Sequence, residues 1–259
     1  MLRKRIIFTL IYSDGFFMQS RNFRLQKVGN LNWLEKNYKF QNIAFSLDEL
    51  VVLNATRVNK SIIDFANTVE KLVNDVFIPI AAGGGIRTME DAELLFKSGA
   101  DKIVLNTLLY ENPDLVQLLI KRYGSQSIVA SIDYKKNDDS FDVYLNNGAV
   151  KIDMNLEDYL IYLDKLEVGE IYLNSIDKDG TGFGYDFDTI EKFESKIKIP
   201  LIIAGGAGNE SHFKDGLKYK NVSAVATANL FNFIGDGLPK ARKNLIELGE
   251  NIANWNVDN

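Results

Sequence analysis

The sequence predicts an α/β chain closed into a single TIM-type (β/α)8 barrel with an internal two-half duplication, and three observations carry that reading. Eight apolar runs rich in β-branched residues alternate with segments of helical spacing. Runs of this kind, apolar without alternation, belong to parallel strands buried on both faces, and eight of them fit a 259-residue chain as one barrel. The third observation is a repeat. PIAAGGGIRTMEDAELLFKSGADKIVLNTLL, from Pro79 to Leu109, and PLIIAGGAGNESHFKDGLKYKNVSAVATANL, from Pro200 to Leu230, share one order of strand, glycines, helix, strand and small-polar ending. An open doubly wound sheet is the alternative, and it would not need a duplicated half.

The strands are expected at Arg5–Ile11, Glu49–Asn54, Ile78–Ala82, Lys102–Asn106, Ile128–Asp133, Glu170–Asn174, Leu201–Ala204 and Ala224–Thr227. Helices are expected at Ile62–Val73, Met89–Lys97, Pro113–Tyr123, Leu156–Leu166 and Asp188–Ser195. Between Lys135 and Ile152 the polar stretch KKNDDSFDVYLNNGAVKI carries Asn-Asn-Gly past its middle, which reads as a small hairpin inserted after the fifth strand. Leu238–Trp255 has helical spacing and is expected to close the barrel. No linker or low-complexity segment divides the chain, so residues 1–259 read as one domain.

Composition narrows the chemistry. A net charge of −5 without a lysine/arginine cluster argues against a nucleic-acid surface. No apolar run is long enough to span a bilayer, and the run in MLRKRIIFTLIYSDG breaks at Ser13-Asp14, so neither a membrane anchor nor a signal peptide is expected and the cytoplasm is the expected compartment. There is no cysteine, which excludes disulfides, thiol catalysis and cysteine-held zinc. A single histidine, His212, makes a histidine-based metal site or a Ser-His-Asp triad a poor fit. Proton transfer must fall to carboxylates, Lys or Tyr.

In such a barrel, function sits at the C-terminal strand ends. Here these carry Ile11, Asn54, Gly83–Gly85, Asn106-Thr107, Asp133, Asn174-Ser175 with Asp177, Gly205-Gly206 and Ala228-Asn229. Glycines directly after a strand allow close approach to a ligand, and the amides of the following helix favour an anion; the same glycines also serve plain tight turns. Asp133 ends the apolar run IVASID, where partial desolvation suits a general acid/base, although a strand-end aspartate equally often caps a helix or forms a turn. Asp179-Gly180-Thr181-Gly182 is either a ligand loop beside the second glycine site or a surface turn. Two related anion sites on opposite halves would suit an elongated bisphosphorylated ligand, with Asp133 between them. A barrel that only binds such a ligand remains compatible with these residues.

The motifs RIIFTL…DG, PIAAGGGI, GADKIVLNT, YGSQSIVASID, GEIYLNSIDKDGTGFGYD and AGGAG…HF together resemble the cyclase subunit of imidazole glycerol phosphate synthase, the HisF family, over nearly the whole chain and in order. The resemblance implies a barrel with two phosphate sites that receives ammonia from a glutaminase (HisH-like) subunit docked on its N-terminal face. It further implies use of that ammonia to cleave and cyclise a bisphosphorylated ribulosyl-formimino substrate in histidine biosynthesis. One phosphate site then maps onto Gly85, Asn106 and Thr107, and the other onto Asp179, Gly180, Gly206, Ala228 and Asn229. The second catalytic aspartate of the family matches Asp133, and the charged ammonia gate matches Arg5, Glu49, Lys102 and Glu170, which read otherwise as a salt-bridge cluster on the barrel floor. No cofactor is expected. A metal is left open, because there is no His/Cys cluster but phosphate ligands often bring Mg2+.

Three positions depart from the family pattern. Its strand-one catalytic aspartate is Ile11 here, which cannot move a proton; its loop-one lysine is Gln19; its strand-two aspartate is Asn54. Asp14 lies three residues further along and is not expected to replace the missing acid. This pattern is similar to the family's paralogues of surface-sugar (lipopolysaccharide) biosynthesis, which work with a glutaminase and a separate amidotransferase that turns an acetamido group into an acetamidino group. The resemblance therefore implies ammonia delivery first, the histidine-pathway cyclase as alternative, and a non-catalytic scaffold for the glutaminase as a third possibility.

Overall fold

A computed structural model describes residues 3–38, 43, 45–58, 60–138 and 140–254. In chain order the first half comprises β1 (Arg5–Ser13), β2 (Phe16–Arg21), β3 (Arg24–Gly29), α1 (Leu31–Tyr38), β4 (Glu49–Asn54), α2 (Ile62–Asp75), β5 (Ile80–Gly83), α3 (Met89–Lys97) and β6 (Lys102–Leu105). The short α4 (Thr107–Glu111) and α5 (Pro113–Tyr123) lead to β7 (Ile128–Asn137), β8 (Ser140–Leu145), β9 (Val150–Asn155) and α6 (Leu156–Leu166). The remainder is β10 (Glu170–Ser175), α7 (Phe187–Phe193), β11 (Leu201–Ala204), α8 (Glu210–Leu217), β12 (Val222–Thr227) and α9 (Gly237–Glu247).

Eight of these strands, β1, β4, β5, β6, β7, β10, β11 and β12, pair in parallel in that order, and β12 returns to β1. The sheet is closed, and the chain is a (β/α)8 barrel. The repeated segments fall on β5–α3–β6 and β11–α8–β12. Each helix start is fixed locally: Thr88 and Asp91 form a reciprocal capping box before α3, and Asn209 accepts from two amides at the start of α8. Alternate residues of the strands pack outward against the helices. The inward set is a separate cluster around Ile7, Val51, Val104, Val129, Tyr172 and Ile202.

Four strands run longer than the apolar pattern suggests: β10 gains Ser175, β12 starts at Val222, and β1 and β7 extend at their C-terminal ends. β1 continues to Ser13 because β2 pairs with its end through Ile11 and Met18, and β7 continues to Asn137 because β8 pairs with Tyr134 to Asn137. The insertion after the fifth strand is therefore β7's own extension plus β8 and β9, with the Asn146–Asn147–Gly148 turn between the last two; Asp139, within it, lies outside the described residues. The hairpin β2–β3 after strand one was not legible as strand. The last helix stops at Glu247, and Ile252 then bridges to Lys4 in parallel; Trp255, placed in that helix by its spacing, lies outside the described residues. No helix among the described residues is long and apolar enough to cross a membrane.

Candidate functional site

The N-terminal ends of β1, β4, β6 and β10 bring Arg5, Glu49, Lys102 and Glu170 into one ring across the barrel floor. Arg5 donates to Glu49 at 2.5 Å and to both oxygens of Glu170, while Lys102 donates to Glu49 at 3.0 Å and to Glu170 at 2.7 Å. Signs alternate around the ring, so every charge faces two of the opposite sign. Glu49 is only 2% exposed, and burial holds its pKa above the usual carboxylate range despite the opposing pull of Lys102 and Arg5. Desolvating four charges is costly unless each is paired, and here each is.

At the opposite end of the barrel lies a cavity of about 140 Å3. Its walls include Ile11, Asn54, Asn106, Asp133 and Asn174, and its roof is the β2–β3 hairpin through Gln19, Ser20 and Phe23. Asp133 accepts from Asn174 Nδ2 at 2.9 Å and from Asn106 Nδ2 at 3.4 Å. Its carboxyl is enclosed by protein and opens only to the cavity, and burial pushes its pKa up to about 7, reinforced by the charge of Asp179 and opposed by the Asn174 hydrogen bond. A carboxyl with that pKa can give or take a proton near neutrality. Ile11 presents only hydrocarbon to the same cavity. Asp14 is exposed at the β1–β2 turn, where it accepts from Ser13, and does not line the cavity. Asn54 is 2% exposed; its Oδ1 accepts from Thr56 N, and its Nδ2 has no partner in the structure. This leaves one buried donor unsatisfied in the wall of the chamber.

Two glycine turns flank the cavity. At the first, Gly84 and Gly85 have φ of +98° and +93°, and a Cβ on Gly84 would lie 2.3 Å from Asn54 O. Arg57, Lys60 and Arg87 line this cleft together with Asn106 and Thr107, giving it a positive rim that the motifs did not flag. Burial, then the charge of Arg87, holds the Lys60 pKa below its ordinary value. Thr107 Oγ1 accepts from Asn146 N at 3.2 Å, which ties the β8–β9 turn to this site. At the second turn, Gly206 has φ of +104° and would place a Cβ 2.0 Å from Gly184 O. Gly206→Ala is therefore expected to lower stability by roughly 1–3 kcal/mol, read as a shift in the urea midpoint at unchanged slope; an unchanged midpoint would show that the turn tolerates a side chain.

Asp179, at the start of the Asp-Gly-Thr-Gly loop, contacts the β2–β3 hairpin. Its carboxylate accepts from Ser20 Oγ at 2.5 Å and Phe23 N at 2.9 Å, and its carbonyl accepts from Asn22 N at 3.1 Å. It holds the hairpin down, and Gly180 allows this because a Cβ there would lie 2.2 Å from Ser20 O. Gln19 Oε1 accepts from Leu230 N at 2.9 Å, beside Ala228 and Asn229. Asn229 spends its side chain capping Phe231 N and Asn232 N. Phe23 also meets the second hairpin, where a Cβ on Gly148 would be 2.5 Å from its ring. Asp177 points away and accepts from Lys136 N. His212 accepts from Gly208 N through Nδ1, and no group of three His, Cys, Asp or Glu side chains among the described residues could hold a metal.

Comparison with known proteins agrees in kind with this arrangement. A family model described as histidine biosynthesis protein matches residues 21–235. A provisionally named imidazole glycerol phosphate synthase subunit hisF2 of Parasynechococcus marenigrum is 43% identical over 256 residues, covering 98% of this chain and 95% of that protein. The imidazole glycerol phosphate synthase subunit HisF of Pyrobaculum aerophilum is 37% identical over 239 residues, covering 92% of each, and that of Chlorobium limicola 35% identical over 250 residues, covering 96% and 98%.

Proposed function

We infer a function from one premise: the chain belongs to the HisF family of histidine biosynthesis proteins. As a member it is the barrel subunit of a glutamine-dependent synthase. A glutaminase docks on the N-terminal face, ammonia enters through the ring of Arg5, Glu49, Lys102 and Glu170, and it leaves at the chamber beneath the β2–β3 hairpin. The preferred use of that ammonia is amidination of an acetamido group on a bacterial surface sugar by a separate amidotransferase.

One observation carries the preference. Two carboxyls line the chamber, Asp133 and Asp179, but Asp179 is taken up by Ser20 Oγ and Phe23 N. This leaves Asp133 alone for acid–base work where cyclisation would call on two, and Ile11 lines the cavity at the missing position. Gln19 and Asn54 are neutral as well, so the surroundings of Asp133 suit the passage of a small neutral nucleophile. A second reading, the histidine-pathway cyclase, is favoured by the raised pKa of Asp133 and by the two glycine turns, Gly84-Gly85 with Asn106 and Thr107, and Gly180, Gly206, Ala228 and Asn229, which would hold the ends of a bisphosphorylated substrate.

A steady-state assay separates the two. The protein is supplied with ammonium and the ribulosyl-formimino substrate, and in parallel with its glutaminase, the amidotransferase, glutamine and an acetamido sugar. Amidination of the sugar, with cyclisation appearing only in an Ile11→Asp/Gln19→Lys variant, is the expected result. Cyclisation by the wild type at an ordinary enzymatic rate, about 1 s−1 or faster, would make the cyclase reading the correct one.

A further inference from the structure

Between the charged floor and the chamber, one side chain crosses the barrel. β10 points Glu170, Tyr172 and Asn174 inward at two-residue steps. Glu170 belongs to the floor ring and Asn174 to Asp133, so Tyr172 sits at the level between them. It is 3% exposed and belongs to the inner cluster. Four of the nine other buried members of that cluster are alanines, Ala81, Ala204, Ala224 and Ala226, and they leave the volume that the ring fills. Its hydroxyl reaches Thr9 Oγ1 on β1 at 2.9 Å, although β11 and β12 stand between the two strands in the sheet. The bond therefore spans the lumen rather than running along the wall. Both residues line the chamber, which makes the phenol its floor.

We propose that Tyr172 and Thr9 form an inner valve through which ammonia passes from the charged ring to the chamber. The inference rests on the ammonia-delivery reading and adds a second control point to it. Ammonia carries three N–H donors and a lone pair, and along a wall of alanine and valine it has nothing to bond. The Tyr–Thr pair, with Ser131 in register beside Tyr172, is the polar station at that level. When its O–H···O bond opens, each hydroxyl can bond the nitrogen instead, so a molecule in transit exchanges partners without leaving a buried polar group unsatisfied. Asp133 and Asp179 lie on the chamber side of the phenol, and the inner cluster around it holds no carboxylate. An ammonium ion would therefore be desolvated here without a direct ion-pair partner, and neutral ammonia is favoured. Burial, with the charges of Asp133 and Asp179, keeps the phenol protonated and able to donate. The alanines give the ring space to swing aside.

The test uses the complete complex with amide-15N glutamine as probe, in excess unlabelled ammonium chloride, and reads the 15N fraction in whichever of the two products named above is formed. Ammonium entering from solution reaches the chamber from the mouth, whereas glutamine nitrogen must cross the barrel. In the wild type the product should be enriched in 15N. Tyr172→Phe and Thr9→Val each remove one hydroxyl while keeping bulk, and both should lower the enrichment at least fivefold. Ammonium-fed turnover should stay within about twofold, and Thr9→Ser, which keeps the hydroxyl, should retain wild-type enrichment. If both hydroxyl-deleted variants melt like the wild type and keep its enrichment, the valve is wrong while ammonia delivery stands. A wild-type product no richer in 15N than the medium would remove the delivery reading itself, and the valve with it.

Discussion

Asp133→Asn is expected to stabilise the folded protein by roughly 4 kcal/mol above pH 7, and by almost nothing near pH 4. In the unfolded chain this carboxyl loses its proton near pH 4, whereas in the folded chain burial holds the proton to about 7. Between those values the folded state binds more protons than the unfolded one, so wild-type stability falls as the pH rises through that window. Asparagine copies the shape of the protonated acid and has no proton to lose. It keeps an acceptor for Asn174 at 2.9 Å and loses only the longer contact from Asn106. Urea midpoints of both proteins from pH 4 to pH 8 measure the difference directly. A gap independent of pH would mean that Asp133 titrates like a surface carboxyl.

The same substitution bears on function with the opposite sign. A general acid/base typically contributes about 10²–10⁴ in rate, so any cyclase turnover should fall by that factor in the asparagine variant. Glutamine-fed amidination should persist if the barrel only conducts ammonia. A site that is more stable without its key residue is the expected mark of a group retained for chemistry rather than for folding.

How far the sequence speaks depends on whether a residue's partner lies within the same short element. β4, β10 and β11 are apolar without alternation because both faces are covered, and that pattern is local; so are the glycines after β5 and β11, which must adopt positive φ. The β2–β3 hairpin is different. Its residues alternate only weakly between buried and exposed, and what holds it is Asp179, 159 positions away from Ser20. In sequence, Asp179-Gly180-Thr181-Gly182 reads as either a ligand loop or a surface turn, and the family resemblance assigns Asp179 to a phosphate site; the donors to its carboxylate come from the hairpin. Tyr172 read as one more strand residue in EIYLNS. Its position two steps from Glu170 did mark it as inward, but only closure of the sheet reveals that it reaches Thr9 across the lumen. The positive rim of Arg57, Lys60 and Arg87 is likewise assembled from two separate loops.

The floor ring supports the other large effect. Lys102→Ala leaves Glu49 and Glu170 sharing Arg5 alone, with Glu49 almost wholly buried. Removing one member of a buried ion network costs about 3–5 kcal/mol, because a charge is left without its counter-ion. The loss should be greatest at neutral pH and relieved in acid. Burial already raises the Glu49 pKa, and without Lys102 that carboxyl takes up a proton at a still higher pH and sheds the unpaired charge. If the ring is also where ammonia enters, its failure has a kinetic mark that instability alone lacks. The variant complex should release glutamate without matching product, so that product per glutamate falls at least tenfold, while product formed from added ammonium is nearly unchanged. Lys102→Arg, which keeps the charge, should restore much of the stability and tests whether coupling follows charge or shape. A folded Lys102→Ala complex that still matches product to glutamate would reduce the four charges to a salt-bridge cluster closing the barrel, and ammonia would have to reach the chamber by another route.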